Sequence, residues 1–155
     1  MHHEDFLQQA VDLALENTKT GGGPFAAIIC QNNKIIAHSG NAVTRNLDPT
    51  AHAEIMAIRS ACQSLQDFQL SDCTLYTSCE PCPMCLGAIY WARLKAVYFA
   101  CSRNDAANAG FDDSFIYDEV PKAPENRRLF MQKLNLNSAL QPFDAWQIQE
   151  NKTLY

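Results

Sequence analysis

Two short segments hold the residue types of metal-assisted hydrolysis: His52-Ala53-Glu54 and Pro81-Cys82-Pro83-Met84-Cys85. Two cysteines separated by two residues place their sulfurs one turn apart at a helix start, where both can grip one metal ion. The helix N-terminus favours the thiolate form that a metal ligand needs. His52, at the start of another helix, adds a third ligand and makes a Cys₂His set. Three protein ligands with no obvious fourth is the pattern of a catalytic zinc, whose open position holds water. Zinc makes that water acidic enough to react near neutral pH. Glu54 lies two residues beyond His52, where a carboxylate can reach the water without binding the metal and can shuttle its proton. Two other readings stay open. Cys79 as a fourth ligand would close the site and make the chain a non-enzymatic, zinc-stabilised binding module, although closed sites usually show two knuckle-like pairs. Cys82 and Cys85 as a redox pair would leave His52 and Glu54 unexplained. Neither alternative gives Glu54 a task.

These residues need helix starts to hold them. Phe6, Leu7, Ala10, Val11, Leu13 and Ala14 fall on one helical face, which predicts a helix over 3–17. Gly21-Gly22-Gly23-Pro24 ends it. Phe25–Cys30 is short, apolar and branched, as in a buried strand. Asn32-Asn33 then turns the chain into a returning strand, Lys34–His38. A polar loop runs from Gly40 to Asn46, and Asp48 or Thr50 is expected to cap the next helix with Pro49 in its first turn. That helix buries Ile55, Ile58, Cys62 and Leu65. Asp72–Thr77 reads as a strand, Cys82–Arg93 as a helix, and Ala96–Cys101 as a strand. Residues 102–124 read as loop-rich, and Pro142–Trp146 starts a last helix. Strands alternating with helices describe an α/β domain in which helices cover a sheet.

With 155 residues, 47% of them hydrophobic, the chain can bury a real core, and it reads as one domain, 1–155. The net charge of −5 and the lack of any Lys/Arg-rich run argue against a nucleic-acid partner. No apolar run approaches membrane-spanning length. Met1–Asp5 lacks the order of a signal peptide, which predicts a cytoplasmic protein. His2 and His3 read as a polar start or a cloning remnant, not as a metal site. The seven cysteines are an odd number, so a disulfide framework is not expected. Cys30, Cys62, Cys73 and Cys101 read as small buried hydrophobes, and Cys79 as a packing residue beside the metal.

The run from Asp48 to Glu54 and the run from Thr77 to Arg93 resemble the cytidine-deaminase-like superfamily, whose zinc signature is H-x-E…P-C-x-x-C. Within it the chain is most similar to the small bacterial guanine deaminases. Gly22-Gly23-Pro24-Phe25, the stretch Ala109–Tyr117, Pro142–Trp146 and the terminal Leu154-Tyr155 carry that narrower likeness. The resemblance implies a three-layer α/β/α sandwich with a mixed central sheet. It implies one Zn²⁺ per subunit on His52, Cys82 and Cys85, with Glu54 as proton shuttle. It also implies that guanine is hydrolysed to xanthine and ammonia. Asn41 would hydrogen-bond the purine, Phe25 and Trp91 would stack on or wall the base, and Asp113 would bind the ring edge and help set the preference for guanine. Tyr155 would close a pocket, and relatives of this kind are homodimers that exchange the C-terminal segment, so it would act on the partner's site. Guanosine, cytosine and tRNA adenosine stand as alternative substrates, because the zinc chemistry is indifferent to the ring.

Overall fold

The computed structural model describes residues 2–155. The chain divides into two compact units, the first ending at Asp113 and the second running from Ser114 to Tyr155.

The first unit is built on helix α1 (His3–Lys19) and a four-stranded sheet: β1 (Ala26–Gln31), β2 (Lys34–Gly40), β3 (Cys73–Cys79) and β4 (Ala96–Cys101). The order is β2-β1-β3-β4. β1 runs antiparallel to both neighbours, and β3 is parallel to β4, so the sheet is mixed. Asn32 and Asn33 both have positive φ, 51° and 60°. That is the two-residue turn whose twist matches a hairpin, and asparagine tolerates it.

β1 alternates between two cores. Ala27 and Ile29 point into one cluster, with Ala53, Ala57, Leu75 and Ile89. Ile28 and Cys30 point into the other, with Phe6, Ala10 and Tyr76. Helix α3 (Ala53–Leu65) and helix α4 (Pro83–Trp91) cover the first face, and α1 covers the second. The three-layer α/β/α sandwich with a mixed sheet is therefore observed, because a strand buried on both faces needs helices on both sides.

Some local expectations need correction. Neither Asp48 nor Thr50 caps α3. The cap position is His52, and Asp48 Oδ1 instead accepts from the Thr50 backbone N–H and hydroxyl at 2.8 and 2.7 Å. The side-chain turn captures the aspartate before the helix can. Short helices α2 (Val43–Asn46) and α5 (Arg103–Asn108) occupy stretches expected to be loops. Cys101 is exposed rather than buried, and Cys62 is only half-buried. His3 is more than a polar start: its Nδ1 meets the Tyr76 hydroxyl at 2.7 Å, and its ring stacks on Tyr98. All seven cysteines are free thiols. Among the described residues no helix is long and apolar enough to cross a membrane.

The second unit holds α6 (Ser114–Glu119), a single 3₁₀ turn at Pro124–Asn126, and α7 (Gln141–Gln147). The expected helix at Pro142–Trp146 falls inside α7, whereas α6 lies in a stretch expected to be loop. Glu119 organises the unit's first half, accepting from the Arg128 backbone N–H and from Lys122 Nζ, both at 2.6 Å.

Candidate metal centre and cavity

The metal ligands sit at the starts of two helices. His52 is the N-cap of α3, and Cys82 is the N-cap of α4 with Pro83 in that helix's first turn. Pro83 has no N–H to lose there, and its fixed φ suits the first helical position. Cys85 follows one turn later and is buried. Their ligand atoms all lie within 4.8 Å of one another, and this is the one such cluster among the described residues. His52 Nδ1 stands 3.5 Å from Cys82 Sγ and 3.6 Å from Cys85 Sγ. A tetrahedral ion with Zn–N of about 2.0–2.1 Å and Zn–S of about 2.3 Å requires an N···S separation of about 3.6 Å. The donor set and its spacing therefore fit zinc. Cys79 lies outside the cluster. Its thiol points to the Ser102 carbonyl at 3.5 Å, so the closed four-ligand site is not the one assembled here.

The electrostatics favour one thiolate. The Cys85 thiol donates to Cys82 and His52 pairs with it, and together they bring the Cys82 pKa down to about 4. The same hydrogen bond to Cys82 raises that of Cys85, and burial adds to the rise. His52 is raised by its contact with the Cys82 sulfur.

Glu54 lies on the first turn of α3 and is only 7% exposed. Burial raises its pKa, and the Cys82 charge adds to this, while its own backbone, the Cys85 thiol and His52 pull the other way. Burial of this kind favours the neutral form of a carboxyl over the charged one.

A cavity of about 490 Å³ opens beside these groups, within the range of small-molecule sites. His52, Glu54, Cys82, Phe25, Asn41 and Asp113 all line it. Six of the nine expected site residues are thus brought to one cavity from segments 25–113, with Cys85 behind Cys82 in the metal cluster. Burial raises the Asp113 pKa, with Cys82 as the next contributor. Asn41 is buried, and its Oδ1 accepts from the Val43 backbone N–H at 3.2 Å. Its turn role and its place on the cavity wall coexist.

Trp91 does not join the cavity. It ends α4, is 64% exposed, and has the Arg93 guanidinium 5.8 Å from its ring centroid. Six residues beyond Cys85, it is displaced by about 9 Å along the helix axis and rotated by about 120° from the metal-facing side. Tyr155 belongs to the second unit and is 73% exposed.

Sequence reasoning assigned no role to Phe111, which lines the cavity and meets Phe25 edge-on at 4.9 Å. Its position in the Gly110-Phe111-Asp112-Asp113 run was the available signal. Glu80 and Arg103 were also missed. Both line the cavity, and Glu80 Oε2 accepts from the Arg103 backbone N–H at 3.0 Å.

Residues 1–101 match the family described as the cytidine and deoxycytidylate deaminase zinc-binding region. The chain is 56% identical to the guanine deaminase of Bacillus subtilis (strain 168), over 100% of both chains. The X-ray structure of guanine deaminase from Bacillus subtilis superposes with a TM-score of 0.98, covering 100% of this chain and 99% of that one at 56% identity. A tRNA-specific adenosine deaminase of Buchnera aphidicola is 41% identical over 64% of this chain and 62% of its own length.

Proposed function

The chain belongs to the cytidine and deoxycytidylate deaminase zinc-binding family, and from that premise we propose that it hydrolyses guanine to xanthine and ammonia. The observation that carries the reading is Glu54: a buried carboxyl on the wall of a cavity roomy enough for a purine, beside a His/Cys/Cys cluster spaced for zinc. Full-length identity to a guanine deaminase supports the choice of base. The net charge of −5 favours a free base over tRNA, whose phosphates call for cationic surface.

In this reading His52, Cys82 and Cys85 hold zinc, which supplies the Lewis acidity that lets water act as a nucleophile near neutral pH. Glu54 takes a proton from the water and delivers it to the ring nitrogen beside the amine-bearing carbon. It then takes the second proton from the oxygen now attached to that carbon and delivers it to the departing amine, so water and guanine become xanthine and ammonia. The Asn41 NH₂ donates to the purine. Phe25, braced by Phe111, stacks on it. Asp113 accepts from N–H groups on the ring edge. Trp91 is not among the residues that line the cavity.

We read the protein as a cytoplasmic homodimer with no nucleic-acid partner, its C-terminal segment exchanged so that Tyr155 closes the partner's cavity. What supports a partner is that Leu129, Phe130, Leu134, Phe143 and Ile148 of the second unit are all exposed.

The test is ammonia release by the zinc-loaded protein, with adenine, cytosine and guanosine beside guanine. Release from guanine alone is expected. Release from another base and not guanine would remove the substrate assignment while leaving the zinc chemistry.

A further inference from the structure

We propose that Asn17 is a positioning residue for purine binding: its buried carboxamide ties the end of α1 to both the Gly21–Gly23 loop and Asn41, and so sets the affinity for the base without touching it. This rests on the reading of Asn41 as a purine ligand given above.

Asn17 lies in the last turns of α1, is 6% exposed, and is absent from the cavity lining. Its Nδ2 donates to the Gly23 carbonyl at 2.8 Å and to the Asn41 carbonyl at 2.9 Å. Its Oδ1 accepts from Arg45 Nη2 at 3.0 Å. Its backbone carbonyl accepts from the Gly22 N–H at 3.0 Å. Two donors and one acceptor are therefore all engaged, a pattern that a carboxamide satisfies and that neither a carboxylate nor a methyl can. Arg45 closes the network, its Nη2 also reaching the Asn41 carbonyl at 3.2 Å and its Nη1 the Thr20 hydroxyl at 3.2 Å.

The packing is as specific as the hydrogen bonding. A Cβ on Gly22 or on Gly40 would overlap the Asn17 carboxamide, so both backbones close directly onto it. Asn41 itself is pinned on three sides: its N–H to the Phe25 carbonyl at 2.9 Å, its carbonyl to Asn17 and Arg45, and its Oδ1 to Val43. The side-chain NH₂ is what remains to meet a ligand.

A merely structural role would serve the docking of α1, but that docking is made elsewhere. Phe6, Ala10 and Ala14 are the buried apolar residues of the helix, and Asn17 follows them near its end. The side-chain hydrogen bonds of Asn17 go to Gly23, to Asn41 and to the Arg45 that grips Asn41. Gly23 and Asn41 both line the cavity.

Two measurements on the zinc-loaded full chain test this. The first needs no substrate: amide exchange in Asn17→Asp, which keeps the shape and loses both donors. Faster exchange over 21–25 and 41–45 is expected, with 53–57 and 83–89 still protected and zinc content unchanged. Unchanged exchange in the first two segments overturns the proposal. The second is steady-state ammonia release from guanine. Asn17→Asp should raise KM by about 10–100-fold with kcat within about threefold, a loss of uniform binding rather than of chemistry. In an Asn41→Ala background the same change should alter KM by less than about threefold, because both substitutions remove one contact. Multiplying effects, or a fall in kcat at constant KM, would overturn the proposal. Arg45→Gln alters an exposed side chain and should show the same split at smaller size; it decides the matter if Asn17→Asp does not fold. If wild type releases no ammonia from guanine, the substrate reading fails, while amide exchange still decides whether Asn17 holds the wall.

Discussion

Replacing Glu54 by glutamine separates the chemistry from the scaffold. The amide matches the carboxyl in size and shape and cannot carry a proton between water and purine. Glu54 is 7% exposed, and burial already disfavours its charged form, so a neutral side chain fits without new strain. The N···S spacings of 3.5 and 3.6 Å that suit zinc are set by the N-caps of α3 and α4, which the change leaves alone. Zinc content should therefore match wild type, and the melting temperature should be equal or higher. Turnover should fall by about 10²–10⁴-fold, the usual contribution of a positioned acid–base group. That is about 3–5 kcal/mol of transition-state stabilisation. The assay is ammonia release under saturating guanine, with zinc counted on the same preparation. Turnover within about tenfold of wild type, at full zinc occupancy, would refute Glu54 as the proton carrier.

Three further outcomes follow from the same geometry. Cys82→Ser should abolish stoichiometric zinc binding, and in wild type zinc affinity should weaken as pH falls, because protons compete for the Cys82 thiolate and for His52; titration with a zinc chelator at several pH values reads both, and pH-independent affinity would contradict the assignment. Burial pushes the Cys30 thiol up to about 11 from an ordinary 9.0. The raised value means that the folded state holds its proton more tightly, so this stabilisation is full below pH 9 and is lost as pH rises through about 11; the stability gap between wild type and Cys30→Ala in urea unfolding should narrow over that window, and a constant gap would show that Cys30 is not the group titrating. Deleting Leu154 and Tyr155 should cut guanine turnover while zinc stays bound; unchanged kinetics would remove Tyr155 from the site.

Much of the centre was legible because its signals are local. Cys82 and Cys85 are three residues apart on one helix start, and His52 and Glu54 two apart on another, so spacing alone announces shared geometry. The main strands and the helices α1 and α3 were legible for a similar reason, since their apolar patterns stand out, and α4 was legible from the Cys pair and proline at its start. Short helices such as α2 and α5 were not, since four to six residues carry little propensity and persist only through the contacts around them. The cap of α3 was misplaced because Asp48 has a competing use in its own turn, one that no pattern of residue types reveals.

By itself, then, the amino-acid sequence determined the chemistry: which residues can bind zinc, which carboxylate can move a proton, and the alternation of strands and helices that carries them. Tertiary structure decided which residues line the cavity. Phe111 meets Phe25 across 86 residues of chain, Asn17 reaches Asn41 across 24, and Trp91 is turned away from the cavity by the pitch of its own helix. The physical reason is range. Ligand spacing and helix starts are set by a few neighbouring dihedrals. The walls of a cavity are set by packing and hydrogen bonds between segments whose separation in sequence carries no record of their meeting.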